Sequence, residues 1–292
     1  MNNIFRWRNI IQNDKFVDIL MKTSKDYRKL RKNVGDLPDV VSIMTKTGCN
    51  YKCNFCPNKD ITHEPSEMSE ELYRKILLEL GKDWKGFLLL FIHNEPFLDQ
   101  RIIKFLEIAK EICPNCTIEV QTNGSVLTKE LIEKSLPNLD ILKINDYTND
   151  FRVIDRIKEY NIENKKLVLV KRYPQHESLS NRSGNVEYEK MKKGKLPLEK
   201  ICLIPFQGIS IIPDGRVILC CNDWKHEHVF GNVSKQSIKE IWKNEQYQTL
   251  RKTLKSKNRN YPLCSKCDYV GFSIGDFRRK HWKLYKFLEG YI

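Results

Sequence analysis

No stretch of this sequence approaches the roughly 18 consecutive apolar residues that a membrane-crossing helix needs. The longest apolar run is the short one at 87–92. Nothing is therefore read as a transmembrane segment. The first residues, MNNIFRWRNIIQNDK, lack the apolar stretch of a secretory leader, and no small-residue cleavage site follows, so a cytoplasmic protein is expected. No internal repeat is visible, which sets repeat architectures aside. Acidic residues are the scarcer sign: 37 Asp and Glu against 51 Lys and Arg, a difference of +14. Lys, Asn and Ile are frequent throughout, as an AT-rich genome would produce, so the charge is read as compositional and nucleic acid is not the expected partner. With 40% hydrophobic and 30% charged residues the chain has the composition of a folded protein, not a disordered one. Cysteine is not scarce. Ten in a reducing compartment argue against disulfides and for metal ligation.

The chain divides into four expected parts. Residues 1–38 read as a basic helical cap, with Ile10, Ile11, Phe16, Ile19 and Leu20 on one side. In 39–198, apolar strands at 40–44, 87–92, 117–121, 139–144 and 167–170 alternate with helices at 69–80, 102–112, 128–136 and 150–160. That rhythm predicts an α/β fold, a partial (β/α) TIM-like barrel with its functional residues at the C-terminal strand ends. A polar stretch at 177–197 reads as loop and linker. Residues 199–275 form a smaller unit, with a hairpin turning at Pro213-Asp214-Gly215, a helix over 237–254, and a need for a stapling metal site. Residues 276–292 close the chain as a helix carrying Trp282, Tyr285 and Phe287.

Cys49, Cys53 and Cys56 place three thiols within eight residues, directly after the first strand. Three thiolates suit an iron–sulfur cluster with one iron left open. A structural zinc ion is the alternative, and His63 could serve as its fourth ligand. Cys113 and Cys116, between a helix end and a strand start at the far end of the barrel, read as structural thiols. His226 and His228 read as surface residues, while Asp223 and Trp224 are candidates to line a cavity between the units.

The C-x3-C-x2-C motif, with the aromatic Phe55 before its third cysteine, resembles the radical S-adenosylmethionine superfamily. That resemblance implies that Cys49, Cys53 and Cys56 hold a four-iron–four-sulfur (4Fe-4S) cluster whose open iron is chelated by S-adenosylmethionine, the source of a 5′-deoxyadenosyl radical. His93-Asn94-Glu95-Pro96 resembles the family's Gly-Gly-Glu-Pro segment, with Asn94 in place of a glycine, and implies that Glu95 holds the cofactor's ammonium. Gln121-Thr122-Asn123-Gly124 resembles its Thr-Asn-Gly and implies a cofactor contact by Asn123, an ordinary turn being the other reading. Cys202, Gly215 and Cys220 at a G-x4-C spacing, and Cys264-x2-Cys267, resemble the twitch form of the SPASM domain. They imply a second 4Fe-4S cluster on Cys202, Cys220, Cys264 and Cys267, with a zinc ribbon as the alternative. The layout resembles cyclitol dehydrogenases of aminoglycoside biosynthesis, and Arg182 then becomes a cofactor or substrate contact, with a solvated loop arginine as the other reading.

The resemblance thus implies two clusters, S-adenosylmethionine, a small-molecule substrate such as a sugar or cyclitol, and an electron donor such as flavodoxin or ferredoxin. Dehydrogenation is the expected outcome. Epimerisation is the alternative, with Cys221 as hydrogen donor; strand alternation beside Cys220 instead makes Cys221 a core thiol. Modification of a ribosomal peptide and a non-catalytic zinc protein that binds nucleic acid are the further alternatives.

Overall fold

The computed structural model describes residues 34–174, 179–187, 195–269 and 271. The expected N-terminal cap up to residue 33, the C-terminal helix and residues 177–178 and 188–194 of the linker lie outside them. Five parallel strands appear where the apolar runs predict them: β1 (Val40–Ile43), β2 (Phe87–Leu89), β3 (Thr117–Thr122), β4 (Ile141–Asp146) and β5 (Leu167–Lys171). The helices α1 (Glu70–Leu80), α2 (Ile102–Ile112), α3 (Lys129–Ser135) and α4 (Arg152–Glu159) alternate with them. Local chemistry fixes each start. Ser69 caps α1 by accepting from the Leu72 backbone at 3.1 Å, and Thr128 caps α3 through Leu131 at 3.2 Å. In α1, Tyr73, Ile76, Leu77 and Leu80 recur at helical spacing and are buried against the sheet.

The remaining strands are β6 (Gly208–Ile211), β7 (Arg216–Ile218) and β8 (Val229–Asn232), and the hairpin turns where Pro213-Asp214-Gly215 places it. All eight strands form one sheet, in the order β5-β4-β3-β2-β1-β6-β7-β8. β6 runs parallel to β1, with Val40 opposite Gly208 and Ile43 opposite Ile211. The two expected units are thus joined through shared backbone hydrogen bonds, a long-range pairing that periodicity cannot reveal. Among the described residues β5 and β8 are the edges of the sheet, so the barrel is partial.

Most boundaries fall within one or two residues of the sequence reading, and two elements differ by more. The helix expected over 237–254 is two, α6 (Ile238–Trp242) and α7 (Glu245–Lys255), after a short α5 (Ile204–Gln207). Asn244 breaks it because its side chain accepts from the Tyr247 backbone at 2.8 Å and starts a new helix. β2 ends at Leu89, earlier than expected, which leaves residues 93–96 on a loop.

Alternation sorts the strand residues between two faces. Ile118, Val120, Leu142 and Ile144 pack into the main core with the helices. Glu119, Gln121, Lys143 and Asn145 take the opposite, concave face. Glu119, Lys143 and Asn145 are buried, and Gln121 donates to the Glu119 carboxylate at 2.7 Å.

At the β1–β6 seam a Cβ on Gly208 would lie 2.5 Å from the Val40 carbonyl oxygen, and both are locked in the sheet. Gly208→Ala is expected to destabilise the fold by about 1–3 kcal/mol, the usual range for overpacking. Gly35→Ala, whose nearest neighbour would be 3.4 Å away, is the control. Thermal melts of the two variants check this, and equal midpoints would show that the seam yields.

Candidate active site

The three-thiol loop leaves the C-terminal end of β1 and is tied down at several points. The Cys56 N–H donates to the Cys53 carbonyl at 3.0 Å, and Cys56 precedes a single helical turn, Pro57–Lys59. Asn50 donates to the Ser125 hydroxyl at 2.8 Å and accepts from the Asn123 amide at 3.0 Å. That amide also lies 3.9 Å from the Cys49 sulfur. Asn123 therefore braces the thiol loop against the end of β3. Gly124 forms the turn at φ +72°, where a Cβ would strike Ile144 and Val153 at 2.6 and 2.8 Å. The turn reading and the contact reading of Asn123-Gly124 hold together.

Glu95 is buried and organises this corner. Its carboxylate accepts from the Thr122 hydroxyl at 2.6 Å, the Asn123 N–H at 2.7 Å and the Phe97 N–H at 3.2 Å. Burial raises its pKa, and these three donors oppose that rise. Most of its acceptor capacity is thus spent within the chain. Beside it, the side-chain nitrogen of Asn94 is buried with no partner, while its oxygen accepts from Ile92 at 3.1 Å. A buried amide donor left unpaired is costly, and a carboxylate-bearing cofactor is the kind of group that would satisfy it. Phe55 is half-buried, its ring 5.4 Å from that of Tyr147 beyond β4.

Burial raises the Cys49 and Cys56 thiols, and burial together with the neighbouring Cys56 and Cys49 pushes Cys53 up to about 12. The charge of Arg182 lowers Cys56. The second set behaves alike. Burial takes Cys202 to about 11 and Cys264 to about 12 and raises Cys220 well above the ordinary thiol value, and each also feels the Cys267 thiol. Asn222 brackets this set: its backbone N–H lies 3.4 Å from the Cys220 sulfur and its amide nitrogen 3.7 Å from that of Cys267. Among the described residues, neither cysteine set draws three sulfurs within 4.8 Å of one another.

Several expectations are corrected. Cys221 is exposed, not a core thiol. β7 ends at Ile218, so Cys220 and Cys221 lie in a turn where strand alternation no longer applies. His63 does not approach the cysteines as a fourth ligand; it stacks on His226, ring centroids 4.0 Å apart. His226 is buried, not on the surface, because it closes against His93 at 3.1 Å. Trp224 does sit between the units, stacked on His93 with centroids 3.9 Å apart. Asp223 instead caps its own turn by accepting from Glu227 and His228. Cys113 and Cys116 are buried in the core, as expected.

Arg182 occupies a loop held to the second cysteine pair. The Asp268 carboxylate accepts from the Ser180 hydroxyl at 2.7 Å and the Asn181 N–H at 2.9 Å, and the Asn181 amide donates to the Lys266 carbonyl at 2.8 Å. The charge of Arg182 lowers both Cys56 and Cys221, the neighbour of Cys220. Sequence reasoning passed over Asp268 and the polar concave face, and marked Asn94 only as standing in place of a glycine. The concave face was visible as the period-two placement of Glu119 and Gln121 in β3 and of Lys143 and Asn145 in β4.

Residues 43–169 match the radical SAM superfamily, and 202–268 match the SPASM iron–sulfur cluster-binding domain. The chain thus carries a radical S-adenosylmethionine domain in its partial barrel, followed by a SPASM domain. Over 246 residues, 79% of this chain and 93% of the relative, it is 28% identical to the S-adenosyl-L-methionine-dependent 2-deoxy-scyllo-inosamine dehydrogenase of Niallia circulans. The fold is that of BtrN crystallised with AdoMet and 2-DOIA, at a TM-score of 0.69 and 24% identity over 80% of this chain and 94% of that one. It is also similar to anSMEcpe with bound AdoMet, at a TM-score of 0.52 and 13% identity over 87% and 95% of the two chains.

Two predictions follow from this geometry. Glu95→Gln replaces an acceptor by a donor facing Thr122 and Asn123, with a loss of about 1.5–3 kcal/mol expected for a buried charge-assisted bond. At roughly 2–4 °C per kcal/mol the midpoint should fall by roughly 3–12 °C, and an unchanged midpoint would show that Glu95 does not hold the corner. The second concerns acid. Burial depresses His93 to about 3 and His226 to about 4, against 6.5 for a free imidazole. As pH falls through 6.5 the unfolded chain takes up protons first, so stability is full above that pH and drains away towards about 4. Urea midpoints of the cluster-free chain across this range should fall, and His226→Asn should flatten the slope.

Proposed function

We propose that this chain is a radical S-adenosylmethionine dehydrogenase acting on a sugar or cyclitol alcohol, as its relative's name states for 2-deoxy-scyllo-inosamine. The observation that carries this reading is a three-thiol loop at the end of β1, with a second thiol set attached through the same sheet. Cys49, Cys53 and Cys56 hold the first 4Fe-4S cluster and leave one iron for the cofactor. Cys202, Cys220, Cys264 and Cys267 hold the auxiliary 4Fe-4S cluster. Together these groups supply a 5′-deoxyadenosyl radical that takes hydrogen from a substrate C–H, and a one-electron acceptor.

The chain's own residues bind and orient. Phe55, Glu95, Asn123 and Arg182 form the cofactor side, with Glu95 acting largely through the Thr122–Asn123 turn that it fixes. The unpartnered amide of Asn94 is the donor best placed for the cofactor's carboxylate. On the concave face Glu119, Gln121, Lys143 and Asn145 offer hydrogen bonds to a polyol, which an apolar barrel interior would refuse. Glu119 is the carboxylate on that face that would accept the hydroxyl proton of the alcohol. The electron donor is a small reductant of the flavodoxin or ferredoxin type, and the cytoplasm, which keeps thiols reduced, is the setting. The exposed Cys221 supports a second reading, epimerisation, in which its thiol returns a hydrogen atom.

Reconstituted enzyme, reductant, S-adenosylmethionine and 2-deoxy-scyllo-inosamine in deuterated water test both readings. Wild type should give 5′-deoxyadenosine and an oxidised product, and Cys221→Ala should give the same. Cys53→Ala should form no 5′-deoxyadenosine. The Cys264→Ala/Cys267→Ala variant should form it without the oxidised product. An isomer carrying one solvent deuteron, lost in Cys221→Ala, would replace the dehydrogenase by an epimerase.

A further inference from the structure

Three histidines from separate segments meet outside both thiol sets. His63 follows the cysteine loop, His93 follows β2, and His226 lies in the turn between β7 and β8. Their ligating nitrogens all lie within 4.8 Å of one another. Two of them are already oriented as metal-bound histidines are, with the second ring nitrogen donating to a backbone carbonyl. His93 Nε2 donates to the Cys221 carbonyl at 2.9 Å, which leaves the lone pair on Nδ1. His63 donates to the Trp224 backbone while its Nε2 is buried without a partner, so the free lone pair is on Nε2. Both carbonyls belong to the turn that carries His226. His93 Nδ1 and His226 Nε2 are 3.1 Å apart, close to the roughly 3.3 Å that two nitrogens adopt on a tetrahedral ion with bonds of about 2.0–2.1 Å.

We propose that His63, His93 and His226 form a binding site for one divalent first-row metal ion, zinc above all, with water at the fourth position. Three neutral imidazoles and an open position are a donor set that zinc takes readily. Burial keeps His93 and His226 uncharged at neutral pH, so few protons compete with the ion. Without an ion, His63 lies parallel to His226 at an interplanar angle of 4° and its Nε2 lone pair has nothing to bind. Turning the His63 ring about its side-chain torsions exchanges that stack for a metal bond. When the ion enters, the proton that His226 Nε2 shares with His93 moves to His226 Nδ1, so no net charge is lost. Two cations reach the group: Arg216, which acts on His63 and His226 and is ion-paired with Asp214 at 2.7 Å, and Arg182, which acts on His93. An ion here would tie the cysteine loop, the end of β2 and the auxiliary turn together without using an iron ligand.

The test uses holoenzyme with both clusters assembled, stripped of loose metal by a chelator and then dialysed against micromolar free zinc. Wild type should retain about one zinc per chain beyond its iron, and zinc-edge X-ray absorption should show a first shell of nitrogen and oxygen alone. His63→Ala and His226→Ala should each lose that zinc while keeping the iron content of wild type. No retained zinc, sulfur in the zinc shell, or equal zinc in folded His63→Ala and His226→Ala variants would each overturn the site. The absorption measurement needs only wild type, so misfolded variants would not shelter the proposal.

Discussion

The parallel pairing of β1 with β6 is the contact on which this molecule's organisation depends. It turns a βα part-barrel and a small cysteine-bearing unit into one sheet, so the position of each thiol set is referred to the same backbone frame. It also demands closeness. Only a residue without a side chain can sit opposite Val40 at the start of β6, and Gly208 supplies it. A parallel pairing between residues this far apart in sequence carries a large loop-closure entropy, and the buried faces of α1, α6 and α7 offset it by packing both units into one apolar core.

Within that frame, burial works in one direction on both kinds of ligand. It disfavours thiolates and imidazolium alike, so without metal the thiols stay protonated and the histidines neutral. For histidine that is already the ligating state. For cysteine it is not, and proton release must accompany cluster assembly. The two classes of site therefore respond differently to pH even though one physical term sets both. Fixed cations assist ionisation in each set: Arg182 lowers Cys56, and Arg259 lowers Cys202 and Cys264.

Much of this was legible in the sequence, and the limits fall where physics puts them. Strands and helices were readable because their apolar residues repeat at two and at 3.6. The cysteine spacing announced itself because it is local in the chain. What escaped was non-local. The β1–β6 pairing, the Asp268 clamp and the histidine group join residues that neither period nor motif connects. Cys221 was misread for a different reason, since alternation was carried three residues beyond the end of its strand. Asn244 is a third kind of miss: the apolar pattern runs on through it, and only the competition of its side chain for a backbone N–H divides the helix.

The loop bearing Arg182 shows how a strained segment can be held by a distant contact. Arg182, Ser183 and Gly184 have φ of 49°, 57° and 81°, all in the left-handed region. For the two non-glycine residues that conformation costs about 1–2 kcal/mol each. The loop does not relax, because the Asp268 carboxylate holds both the Ser180 hydroxyl and the Asn181 N–H just upstream. Asp268 is the residue next to Cys267. The position of Arg182 is thereby tied, through one side chain and one peptide bond, to the sulfur at the end of the second cysteine pair. A change in the packing of Cys264 and Cys267 shifts the clamp and with it the arginine whose charge reaches Cys56. This connection gives the two thiol sets a mechanical link besides the sheet, one made of discrete hydrogen bonds that either form or break.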